Sequence, residues 1–160
     1  VEGPAAGQAA GEGGEAMIAR RLWMVCLLAP MLWADDLDSV KQESDHIKRF
    51  ERAITLAETE TREARQLVKD AGSRADLISK MEGVAKAVSL SLQSLRDTGK
   101  RPAKLTGHYK KGELKSREIL RQLNDLVLAL GVEDRPVAER TRDEVSSVHE
   151  DFLLGVMTGK

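Results

Sequence analysis

Few residues in this chain have the types and spacing that chemistry needs. Glu43-x-x-His46 sets a carboxylate and an imidazole three residues apart on one helical face, the spacing by which four-helix carboxylate proteins hold two metal ions. Such a centre needs a second Glu-x-x-His and two further inward glutamates. His108 has Leu105 three residues before it and His149 has Ser146, so neither repeats the motif. Glu43, His46, His108 and His149 are therefore metal-ligand candidates without a complete ligand set, and no cofactor is expected. Ser91 and Ser146 suit helix surfaces or small core positions. No Ser/His/Asp order, glycine-rich phosphate loop or His-Glu-x-x-His pattern accompanies them. No catalytic residue is assigned, and the chain reads as non-enzymatic.

The densest basic patch is Lys100, Arg101, Lys104, His108, Tyr109, Lys110 and Lys111. It holds one aromatic residue in a chain of near-zero net charge (−1), which argues against nucleic acid. An anionic lipid or a peptidoglycan-like polymer of the cell envelope is the better ligand class for it. A second feature lies in Val145–Met157, which is more apolar than one narrow helical stripe. There Phe152, Leu154 and Met157 are expected to add exposed apolar area for self-association or for a protein partner. An antiparallel arrangement of the last two helices brings these residues beside Tyr109–Lys111.

The compartment is read from the segment Met17–Ala34, MIARRLWMVCLLAPMLWA. Arg20 and Arg21 form a positive n-region, Leu22–Trp33 is an unbroken apolar run, and Ala34 is a small residue at the cleavage position. Leu32, at minus three, departs from the usual small residue. The apolar run is shorter than the ~20 residues a membrane span needs, and Asp35–Asp36 follow at once. The reading is a cleaved signal and an exported, periplasmic or extracellular protein, with no transmembrane span in the mature chain. Residues 1–16 are rich in Gly, Ala and Glu and cannot form a core. They are expected to be a mis-called start or a flexible extension. Cys26, the only cysteine, falls within the apolar run, so the mature chain is expected to be disulfide-free.

Positioning falls to four amphipathic segments in residues 35–160, a length suited to one core. The first is expected from Leu37 to Asp70, with a stripe of Ile47, Phe50, Ile54, Ala57, Thr61, Ala64 and Val68 at coiled-coil-like spacing. Its first turns, Lys41–His46, are expected to project beyond the bundle, and Lys48–Glu51 and Glu58–Arg62 to pair along its outer face. The second starts at Ser73, with Asp76 completing a capping-box pattern. It presents Leu77, Met81, Val84, Val88, Ser91 and Leu95, flanked by Ile78, Ala85 and Leu92, and stops at Gly99–Pro102. The third, from Gly107 or Tyr109 to Leu130, presents Leu114, Ile119, Leu120, Leu123, Leu126, Val127 and Leu130, with Gly131 as a left-handed cap. The fourth begins near Pro136, presents Val137, Thr141, Val145, Val148, Phe152 and Leu153, and frays past Gly155.

The fold class that follows is all-α: an antiparallel up-and-down four-helix bundle, or a pair of helical hairpins joined at Pro102. The size is similar to that of the b-type four-helix cytochromes, which hold haem with a methionine near the start and a histidine near the end. His149 stands near the end, but no methionine lies between Asp35 and Lys80, and no Cys-x-x-Cys-His attachment is present. The leading functional expectation is an exported, non-enzymatic binding or scaffold protein of the envelope. A metal- or haem-carrying bundle and a chaperone-like or regulatory helper of envelope proteins are the alternatives.

Overall fold

Two aspartates set the start of the first two helices. In the computed structural model, which describes residues 36–159, Asp36 accepts a hydrogen bond from the Ser39 amide (2.6 Å) and opens α1 (Leu37–Lys41). Asp45 accepts from the amides of Ile47 (2.8 Å) and Lys48 (3.1 Å) and opens α2 (His46–Lys69). Both carboxylates satisfy amides that a helix start leaves without partners. The single helix expected over Leu37–Asp70 is therefore two. The break lets α1 fold back onto α2 and α3 (Arg74–Asp97) and buries Val40 completely. The stretch Lys41–His46 thus turns across the end of the bundle instead of projecting from it. The segment read as a signal, Met17–Ala34 with Cys26, and residues 1–16 lie outside the described residues. With one cysteine in the sequence, the chain has no internal disulfide.

A single 3₁₀ turn (Pro102–Lys104) leads into α4 (Thr106–Ala129), and α5 (Arg135–Thr158) completes the chain. The described residues are helical with no strand. Consecutive long helices run in opposite directions, and α2 packs on α3 as α4 packs on α5. The two hairpins then meet with α3 against α5 and α2 against α4. These cross-hairpin neighbours are parallel. Lys111 and Lys115 of α4 pair in the same order with Glu51 and Glu58 of α2, and Thr141 of α5 donates to the Met81 carbonyl of α3 (3.3 Å). The connector after α3 therefore crosses the diagonal of the bundle, whereas the short links Asp70–Ser73 and Leu130–Asp134 join adjacent helices.

The expected stripes of α2 and α3 are the buried ones, with Phe50, Ile54, Met81, Val84, Val88 and Leu95 at 1% exposure or less. Small and hydroxyl side chains fill much of the rest. Thr61, Ser91, Ser94 and Ser116 are fully buried, and each donates to a carbonyl of its own helix, so burial leaves no donor unsatisfied.

Four expectations need correction. Leu114 is 49% exposed and Leu153 is 41% exposed. The buried face of α4 holds the expected Ile119, Leu123, Leu126 and Val127. It continues toward the helix start through Ser116, Glu113, Gly112 and Tyr109, where α5 packs on the glycine, and not through Leu114. Gly131 is not a left-handed cap; Leu130 ends α4 in an extended conformation. Left-handed residues occur at Gly99 (φ 65°) and at Ala71 (φ 50°), where the Gly72 amide donates to Leu67 (2.8 Å) and closes α2. The helix-surface pairs Lys48–Glu51 and Glu58–Arg62 are replaced by ion pairs in which Lys111 and Lys115 of α4 donate to Glu51 and Glu58. Finally, α5 does not fray at Gly155 but continues to Thr158, because Gly155 is buried under Tyr109.

Candidate interaction site

One pole of the bundle collects the start of α2, the end of α3, the 3₁₀ turn, the start of α4 and the end of α5. Gly99 supplies the positive φ that turns the chain out of α3. Pro102 starts the 3₁₀ turn, and Leu105, 4% exposed, plugs the core beneath it. The Thr106 hydroxyl donates to the Gly159 carbonyl (3.3 Å), which ties the start of α4 to the end of α5.

Below this end two aromatic rings interlock with two glycines. The Tyr109 ring of α4 lies over Gly155 of α5, so close that a Cβ there would stand 2.1 Å from the ring. The Phe152 ring of α5 lies over Gly112 of α4, where a Cβ would stand 2.4 Å from it. Phe50 joins edge-on to Phe152 (centroids 6.4 Å apart), and Tyr109 meets Phe152 likewise (6.2 Å), the geometry that aromatic quadrupoles favour. Every Phe and Tyr ring among the described residues sits in this cluster. Phe152, expected at an exposed interface, is therefore core, fully buried. Tyr109 is 6% exposed, and burial raises its hydroxyl pKa above the ordinary 10, with Arg96 opposing and Asp151 reinforcing that shift.

The remaining interaction candidates stay at the surface. Leu154 and Met157 are 57% and 64% exposed. Leu154, Lys100, Arg101 and the edge of Tyr109 border an open groove of about 430 Å³, whose wall is braced by the Arg96–Asp151 pair (3.1 Å). Lys100 also borders a second depression of about 420 Å³ with Ser44–Ile47 and Thr98. Lys111 is committed to Glu51. Lys100, Arg101, Lys104 and Lys110 form no ion pair among the described residues. The structure thus brings the connector lysines, Arg101, Leu154 and Met157 to one pole and removes Phe152 from their surface.

The metal-ligand candidates are not gathered. His46 meets Arg49 through Nδ1 (2.9 Å), His108 lies edge-on to Phe50 (5.9 Å), and His149 meets the Ser116 hydroxyl (2.9 Å). Glu43 faces Arg52 (3.6 Å). Among the described residues no three His, Cys, Asp or Glu side chains cluster as metal ligands. The Ser116–His149 pair resembles a nucleophile–base dyad, but Ser116 is fully buried in the α4–α5 seam.

Sequence reasoning missed Arg49. Its guanidinium donates to Ser94 (3.0 Å) and to Asp97, and lies against His46, thereby locking the start of α2 to the end of α3. Only the Asp45 cap, which sets the phase of α2, could have hinted at that inward arginine. Comparison of the chain with protein-family models, curated proteins and solved structures yields no match.

Proposed function

We propose that this chain is an exported, non-enzymatic binding or scaffold protein of the cell envelope, and that it works through the connector pole of its bundle. One observation carries the reading: four cations without ion pairs among the described residues and two exposed apolar side chains converge on a pole braced by the Arg96–Asp151 pair and the Thr106–Gly159 hydrogen bond. Cations around exposed apolar side chains on a rigid support suit recognition. Catalysis finds less support, since the Ser116–His149 pair is buried and His46, which borders the Ser44–Ile47 depression, is engaged by Arg49. Export rests on the sequence of Met17–Ala34.

Purification from the native host, followed by N-terminal mass spectrometry, metal analysis and an optical spectrum, tests the reading. A mature N-terminus at Asp35 and a colourless, metal-free protein are expected. An intact Met17 or Val1 would refute export, and a stoichiometric metal or a Soret band would refute the cofactor-free class. Self-association is a second reading, carried by the exposure of Leu154 and Met157. Leu154→Glu/Met157→Glu should then abolish a dimer seen by sedimentation while leaving helicity nearly unchanged.

A further inference from the structure

We infer that the connector pole seats the bundle on an anionic phospholipid surface. This names the ligand of the pole and rests on the reading of that pole as the binding surface.

Charge is the first argument. From Thr98 to Gly112 the sequence contains no Asp or Glu, and it holds Lys100, Arg101, Lys104, Lys110 and Lys111. Only Lys111 of these has an acidic partner among the described residues. Most acidic side chains near the pole have partners. Asp36 and Asp45 hold helix-start amides, Asp38 pairs with Lys41, Asp97 with Arg49 and Asp151 with Arg96. Glu150, one turn before Leu154, is exposed without an ion pair among the described residues. The charge left without a partner on the connector is positive, complementary to phosphodiester headgroups.

Shape is the second. Leu154 and Met157 stand exposed on the last turns of α5 beside this charge. Apolar side chains rimmed by lysines suit the boundary between headgroups and acyl chains. Single-stranded nucleic acid would need an available stacking ring, and Tyr109 is spent on Gly155. No helix among the described residues is long and apolar enough to cross a membrane, so this contact is peripheral.

The test uses the full chain and sedimentation with vesicles of phosphatidylcholine, alone or mixed with phosphatidylglycerol. The apolar N-terminal run is common to every variant, so the preference for anionic over neutral vesicles isolates the charged contribution. Binding should favour the anionic vesicles and weaken as salt rises. Lys100→Gln/Arg101→Gln/Lys104→Gln should weaken anionic binding about 100-fold, at about fivefold per cation. Arg62→Gln/Lys69→Gln/Arg140→Gln removes three exposed cations away from the pole and should leave binding within about twofold. Unchanged circular dichroism in both triples excludes unfolding as the cause. Equal losses in the two triples, no anionic preference, or displacement by millimolar inorganic phosphate would each overturn the inference. Should the pole triple spare vesicle binding yet abolish capture of a protein partner, the lipid assignment falls and the binding pole stands. A pole triple that alters neither refutes both.

Discussion

Glycine to alanine should have opposite signs at two helical positions of this bundle. At Gly155 a new Cβ would stand 2.1 Å from Cδ1 and 2.4 Å from Cε1 of Tyr109. That ring is rigid and itself backed by Phe152 (centroids 6.2 Å apart), so it cannot swing aside cheaply. Overpacking of this kind costs about 3 kcal/mol at the upper end of its usual range. Alanine returns about 1 kcal/mol of helix propensity, which leaves Gly155→Ala destabilised by about 2 kcal/mol. At Gly83 the nearest atom to a new Cβ is Oε2 of Glu60, at 3.1 Å, the mobile end of a flexible side chain. The carboxylate can shift, and Lys80 retains its 2.6 Å pair with Glu63. Gly83→Ala should therefore stabilise by about 0.5–1 kcal/mol. Urea denaturation followed by circular dichroism gives both values on one scale. Combining Gly155→Ala with Tyr109→Ala should cost less than the sum of the two single changes, because the ring that clashes is gone. A stabilised Gly155→Ala, or a Gly83→Ala as damaging as it, would refute the interlocked account of α4 and α5.

Three further outcomes follow from the same geometry. Val40→Ala removes two fully buried methyl groups and should lower stability by about 2 kcal/mol by urea denaturation, whereas a neutral result would show that α1 does not belong to the core. Ala71→Gly relieves a left-handed alanine at the end of α2 and should raise stability by about 0.5–1 kcal/mol in the same assay. Tyr109 is the only tyrosine, so absorbance reads its ionisation directly, and the midpoint should lie above 10. Because folding favours its neutral form, this contribution to stability is whole below pH 10 and is lost as pH rises through the raised value.

Helix content and most of the core of α2 and α3 were legible because apolar residues recur there at three and four positions, and Gly72, Ser73, Gly99 and Pro102 punctuate them. The break before α2 was not legible. Asp45 lies among Glu43, Ser44 and His46, and only the burial of Val40 distinguishes a cap from one more charged helical residue. The rest of the α4 stripe is buried or packed against the core as expected, but Leu114 falls off it for a related reason. Leu114 outweighs Gly112 in any hydrophobic pattern, yet the glycine is buried because the Phe152 ring needs its missing side chain. Which helices become neighbours was equally hidden. The ion pairs of Glu51 and Glu58 with α4 join residues far apart in the sequence, and periodicity along one helix does not select a partner helix.

At the candidate site, residue types were more legible than exposure. The acid-free run around Lys100, Arg101 and Lys104 is visible in the sequence itself. Phe152 and Leu154 look alike as apolar residues near the C-terminus, and only the packing against Gly112 sends one inward and leaves the other at the surface.

In-cell photocrosslinking tests the central claim most directly, with one photoreactive side chain at Leu154, on the connector pole, or at Leu128, exposed near the opposite end of α4. Both sites are open to solvent, at 57% and 82%, so accessibility alone would favour Leu128. If the connector pole is the binding surface, the Leu154 probe should yield discrete envelope adducts and the Leu128 probe only background. Adducts concentrated at Leu128, with none at Leu154, would contradict the account.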